Sequence, residues 1–183
     1  MSAVIPRHRV NVLTGIKAAR LIEDPAEYAD LIKKAKRPLL VVGPLLLAST
    51  PDGKVLMQYA LDIAKAGNIP ICATAQTRGK MVELGVQPDC VYDVVEIVNA
   101  LKDPNWRGVK KEGNHDLVMF FGIRSDLGNQ GLSTLKHFAP HLKTMTLCKH
   151  YFPHASYSLP NFRRDAKWLE FLDALIANLK KGE

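Results

Sequence analysis

Two short runs of the chain carry no polar residue. One is Leu39-Leu40-Val41-Val42, closed by Gly43-Pro44; the other is Leu117-Val118-Met119-Phe120-Phe121, closed by Gly122. An apolar run without alternation, ended by a turn residue, fits a parallel strand covered on both faces. Ile69 to Ala73 and Lys143 to Cys148 read as two further strands. Between them the apolar period changes to that of helices. Asp24-Pro25-Ala26-Glu27 has the pattern of a capping box, with proline at the first helical position. The helix it starts should run to about Lys36, with Tyr28, Leu31, Ile32 and Ala35 on one face, and end before Pro38. Thr50-Pro51-Asp52 predicts the next helix start, with Val55, Leu56, Tyr59, Ile63 and Ala66 at helical spacing and Gly67 at its end.

Thr74 to Lys80 reads as a polar loop, followed by a short helix to about Leu84. Asp93-Val94-Val95-Glu96 predicts a second capping box and a helix to about Leu101. Asp103 to Asn114 reads as a surface loop, and Asn129 to Phe138 as a helix stopped before Pro140. His150 to Phe162 is irregular. Asp165 is expected to cap a last helix with Trp168, Leu169, Leu172, Leu175, Ile176 and Leu179 on a broad apolar face. Residues 1–13 read as an N-terminal arm, Thr14 to Ile22 as a short helix, and Leu45 to Ser49 is apolar but ambiguous. Alternation of strands and helices gives a single α/β domain over residues 1–183. Its expected form is a doubly wound, mostly parallel sheet with helices on both faces, a Rossmann-type three-layer domain of the NAD/FAD-binding kind. In such sheets ligands sit beyond the carboxyl ends of the strands, which is where Gly43 and Gly122 fall.

Composition narrows the class. At 183 residues and 47% hydrophobic, the chain can build its own core. No apolar run approaches the length of a membrane helix, and the N-terminus lacks the apolar stretch of a signal peptide; a cytoplasmic location is the expectation. The net charge of +7 includes clusters at Lys33, Lys34, Lys36, Arg37 and at Lys110, Lys111. No aromatic residues interleave with them, so nucleic acid is not expected; solvated faces or an acidic protein partner are. Cys72, Cys90 and Cys148 are odd in number and form no CxxC, and read as reduced thiols.

Candidate chemistry is sparse. Neither GxGxxG nor GxxxxGK[ST] is present. A weaker phosphate signal remains. If the first three strands are neighbours, the loops carrying Gly43, Pro44, Thr74, Gln76, Thr77, Gly79, Lys80, Gly122, Arg124 and Ser125 converge. Their N–H groups and hydroxyls, with Lys80 or Arg124, can then hold the pyrophosphate of FAD or NAD. His137/His141 and His150/His154 have ligand spacing, but Pro140 and Pro153 interrupt them, and no metal is expected. Cys148 near His150 is the sole suggestion of an activated thiol, and sequence neighbours rarely form a dyad. No catalytic set is expected in this chain.

Several stretches, taken in order, resemble one family. They are Ala35–Pro44, Ile69–Ala75, Leu101–Gly108, Gly113–Val118, Phe121–Ile123, Phe152–Ala155, Leu159–Asn161 and the Trp168 helix. The set is similar to the epsilon subunits of the archaeal acetyl-CoA decarbonylase/synthase complex, over about Thr14 to Leu179. The resemblance implies a partner subunit of one-carbon metabolism and methanogenesis from acetate. It implies binding to the alpha subunit that carries the nickel–iron–sulfur chemistry, as an α2ε2 carbon monoxide dehydrogenase component, with self-association a further option for the isolated chain. It also implies a stabilising role, with assistance in electron transfer to FAD. The wider resemblance is to NAD/FAD-binding domains, including the central domain of thiamine-diphosphate enzymes. Pro44 and Leu45 to Leu47 depart from that pattern, standing where small residues would admit a phosphate.

Overall fold

The computed structural model describes residues 15, 17–50, 53–74 and 76–181. The arm at 1–13 lies outside them. Strands β1 (Arg20–Leu21), β2 (Pro38–Val42), β3 (Ile71–Ala73), β4 (Cys90–Val91), β5 (Leu117–Phe121), β6 (Lys143–Thr146) and β7 (Tyr157–Ser158) form one sheet. Its order is β1-β7-β6-β5-β2-β3-β4, and every pairing is parallel. From β4 to β7 this is the strand order of dinucleotide-binding sheets, with β1 added at the far edge. The order reverses between β2 and β5, whose five residues pair in register from Pro38 with Leu117 to Val42 with Phe121.

The helices are α1 (Pro25–Lys34), α2 (Leu56–Ala66), α3 (Thr77–Glu83), α4 (Val94–Lys102), α5 (Ser125–Phe138) and α6 (Asp165–Lys180). Strand side chains alternate between faces, so β2 feeds two cores. Leu40 and Val42 join the layer of α1, α2 and α6, while Leu39 and Val41 join that of α4 and α5. Two buried polar tips pin the first layer to β6 and the residue that follows it. Tyr28 donates its hydroxyl to the Thr146 carbonyl at 2.7 Å, and Trp168 its indole N–H to the Leu147 carbonyl at 2.9 Å. At the opposite end of the strands the Asp116 carboxylate accepts the N–H groups of Lys36 and Arg37, both at 2.8 Å, tying the entry of β2 to β5.

Several local expectations change. Residues 17–22 hold no helix; Arg20–Leu21 pairs with Tyr157–Ser158, because a sheet edge offers those N–H and C=O groups a ladder. Asp24 caps α1 through the Ala26 N–H, but Glu27 turns away to ion-pair with Arg20, so the box is not reciprocal. The box at Asp93 and Glu96 has both bonds. Helix α2 starts at Leu56, after a turn in which Gly53 N–H bonds the Thr50 carbonyl. Helix α3 absorbs Thr77 to Lys80 from the predicted loop. Helix α5 starts four residues before the predicted Asn129, at Ser125. Asp165 is the first residue of α6 rather than its cap, and its carboxylate binds Lys149.

Candidate functional site

The carboxyl ends of β2 and β5 do converge at the reversal of strand order, and there the two glycines meet each other. Gly43 N–H bonds the Phe121 carbonyl at 2.8 Å, and Leu45 N–H bonds the Gly122 carbonyl at 2.9 Å. A Cβ on Gly43 would stand 2.6 Å from Gly122 C and from Ile123 Cα, so only glycine lets these backbones touch. Pro44–Leu47 then winds into a 3-10 turn, with Leu46 N–H on the Gly43 carbonyl at 3.1 Å. The turn lays buried Leu46 over Gly122, where an added Cβ would run into the leucine side chain. Gly122 has φ +73°, and its N–H goes to Cys148 Sγ at 3.3 Å.

This is the place where a dinucleotide's pyrophosphate would lie, and the residues do not fit one. The N–H groups of Gly43, Leu45, Leu46 and Gly122 are spent on protein acceptors. The space that the glycines leave is filled by chain. The other expected contacts disperse. Thr74 is buried and gives its hydroxyl to the Val42 carbonyl at 2.7 Å. Gln76 is exposed, and Gly79 lies within α3 with nothing near it. Lys80 pairs with Glu83 at 2.7 Å, and Arg124 with Asp126 at 2.6 Å. The Asp126 carboxylate raises the Arg124 guanidinium further and is itself held low by it. Because Gly79 is an exposed helical residue in open space, Gly79→Ala should stabilise the fold by about 0.5–1 kcal/mol, read as a higher urea midpoint.

Beside the filled point an open cleft of about 380 Å³ remains, over the ends of β5 and β6. Its walls are mostly apolar, with Leu46, Ile123, Phe152 and Trp168 prominent, and of the predicted set it gathers only Gly122 and Ser125. Three features were not legible. Leu45 stands on the lip, 51% exposed. Thr50, 8% exposed, lines the cleft, and its buried hydroxyl has no hydrogen-bond partner among the described residues. The Lys149–Asp165 pair at 2.7 Å closes the rim. None of these had a sequence motif; the 3-10 turn and the start of α6 bring them together.

Cys148 and His150 both line this cleft. Burial pushes the Cys148 thiol up to about 11, and it accepts the Gly122 N–H. A protonated, buried sulfur is the opposite of an activated nucleophile. Three other histidines hold structure. His115 Nδ1 meets the Arg37 carbonyl at 2.9 Å and Nε2 accepts the Val109 N–H, so burial keeps the ring neutral, with its pKa below the ordinary value. His137 bonds the Ser133 carbonyl, and His141 bonds Asn114 and the Leu101 carbonyl. Among the described residues no three His, Cys, Asp or Glu side chains group as metal ligands.

Residues 2–176 match the family model described as CO dehydrogenase beta subunit/acetyl-CoA synthase epsilon subunit. Three relatives have names that agree with it. The acetyl-CoA decarbonylase/synthase complex subunit epsilon of Methanothermobacter thermautotrophicus is 41% identical over 166 residues, 91% of either chain. Subunit epsilon 1 of Archaeoglobus fulgidus is 36% identical over 157 residues, 85% of this chain and 82% of that one. Subunit epsilon 1 of Methanosarcina barkeri is 36% identical over 163 residues, 88% of this chain and 90% of that one.

Proposed function

The chain belongs to the CO dehydrogenase beta subunit/acetyl-CoA synthase epsilon subunit family, and from that membership we propose that it serves the acetyl-CoA decarbonylase/synthase complex as a docking subunit. It binds the alpha subunit and stabilises it, and the reaction chemistry stays with alpha. The observation that carries this reading is the filled switch point. Where a nucleotide-binding domain keeps a phosphate cradle, this chain offers a shaped surface. Leu45 projects from the 3-10 turn beside an apolar cleft. An exposed apolar anchor next to an apolar pocket has the anatomy of a protein interface. The net charge of +7 favours an acidic partner face. Assistance in electron transfer to FAD is the finer role that the resemblance implied. The absence of free N–H groups at Gly43, Leu45, Leu46 and Gly122 argues against a seat for that cofactor at this chain's switch point.

The reading is tested by co-purifying the chain with the alpha subunit and titrating the pair. Leu45→Glu should weaken association by about tenfold or more, since it places a charge on the anchor. The circular dichroism spectrum should not change, because Leu45 is half exposed. Unchanged affinity would move the interface to another face. If the unaltered chain does not associate with alpha at all, the docking function itself is wrong.

A further inference from the structure

Strand β4 does more than extend the sheet. It carries Cys90 into direct register with Cys72 of β3, although 17 residues separate them in the chain. Neighbouring strands lie about 4.8 Å apart, inside the roughly 4.4–6.8 Å between Cα atoms that disulfides span. In-register residues point to the same face of a sheet, and both side chains enter the α4/α5 core layer. Cys72 is fully buried, whereas Cys90 is half-buried on the two-residue edge strand. The edge is held in place from both sides. Asp89 N–H bonds the Ile71 carbonyl, Ile71 N–H bonds the Asp89 carboxylate at 2.8 Å, and Tyr92 N–H bonds the Ala73 carbonyl.

We propose that Cys72 and Cys90 are a redox-active dithiol, which closes into an intrachain disulfide when a peroxide reaches the exposed side of Cys90. The Cys90 sulfur attacks a peroxide oxygen; the O–O bond breaks, leaving a sulfenic acid on Cys90 and releasing water. The Cys72 sulfur then attacks the Cys90 sulfur. The S–S bond forms, the S–O bond breaks, and the oxygen departs as a second water with the Cys72 proton. Two thiols are oxidised and one hydrogen peroxide is reduced to two waters. The order follows from access and from the shared proton. Contact between the thiols draws the Cys90 pKa down in spite of burial and of Asp89, and the same contact, with burial, drives that of Cys72 up. The product ties the edge strand, and the α3 segment before it, to the centre of the sheet. Cys148 takes no part, being buried on another strand end with its sulfur on the Gly122 N–H.

Hydrogen peroxide on the full chain, followed by alkylation under denaturing conditions and peptide mapping, tests this. The expected major product links the Cys72 and Cys90 peptides within one chain, lacks two hydrogens, and leaves Cys148 open to alkylation. In Cys72→Ser, Cys90 should stop at a sulfenic acid that dimedone traps. In Cys90→Ser, Cys72 should lose its thiol at least tenfold more slowly than in the unaltered chain. Should Cys72→Ser fail to fold, the Cys90→Ser rate and the unaltered chain's map decide. Cross-linking between chains through Cys90, or over-oxidation of Cys90 with no link to Cys72, would overturn the proposal.

Discussion

Gly43→Ala should cost about 3 kcal/mol of folding stability, a large effect for one methyl group. In urea the midpoint should fall by roughly 1–2 M with an unchanged slope. The reason is that the three atoms nearest to the new Cβ are all backbone. Gly122 C and Ile123 Cα stand 2.6 Å from its ideal position, and the Gly122 carbonyl oxygen is closer still. A flexible side chain can move aside; two strands joined in five-residue register cannot separate without breaking the ladder. Moving them would also strain the Gly43 N–H bond to Phe121 and the Leu45 N–H bond to Gly122. Gly79→Ala is the internal contrast, because it changes the same atom in open space. If Gly43→Ala melts within a few tenths of a kcal/mol of the unaltered chain, the close backbone approach does not exist.

The placement of Gly43 and Gly122 was legible, and their role was not. Fully buried strands announce themselves through composition, and β2 and β5 are buried almost throughout. Their end glycines therefore fell at the switch point as expected. What the glycines are for depends on Leu46, and nothing local says that Pro44–Leu47 winds into a 3-10 turn over Gly122. That turn is fixed by tertiary bonds to the other strand, which no periodicity encodes. The same limit hid the cleft. Thr50, Lys149 and Trp168 are far apart in the chain and share no motif, and they meet only because β2, β5, β6 and α6 stack.

Short elements were lost for a different reason. Cys90–Val91 and Tyr157–Ser158 are two-residue strands, too brief to show a period of two, and both lie toward the sheet edges. Missing β4 also concealed the Cys72–Cys90 register, since spacing alone made the cysteines look unrelated. Polar composition misled at Thr74 to Lys80. Thr77 reads as a loop residue, yet its hydroxyl satisfies the Thr74 carbonyl at 2.6 Å and lets α3 begin there. Where capping chemistry was strong the reading held best, as at Asp93 and Glu96, because that signal is local in the chain and in space.

The contact between Leu46 and Gly122 can be isolated by a double-mutant cycle. Gly122→Ala alone should destabilise by about 2–4 kcal/mol: φ +73° is strained for any Cβ, and the methyl group collides with Leu46. Leu46→Ala alone should cost about 2–4 kcal/mol, since it empties a site only 1% exposed beside the cleft. The two changes are opposite in kind, one adding volume where the other removes it. Leu46 Cδ2 lies 2.9 Å from the ideal Cβ, and truncation to alanine removes it. The double variant should therefore lose less than the sum of the single losses, by about 1–2 kcal/mol. Full compensation is not expected, because the backbone strain at Gly122 survives and Leu46 N–H still stands 3.0 Å from the new methyl carbon. Strict additivity in urea melts of the four chains would mean that the Leu46 side chain does not rest on Gly122.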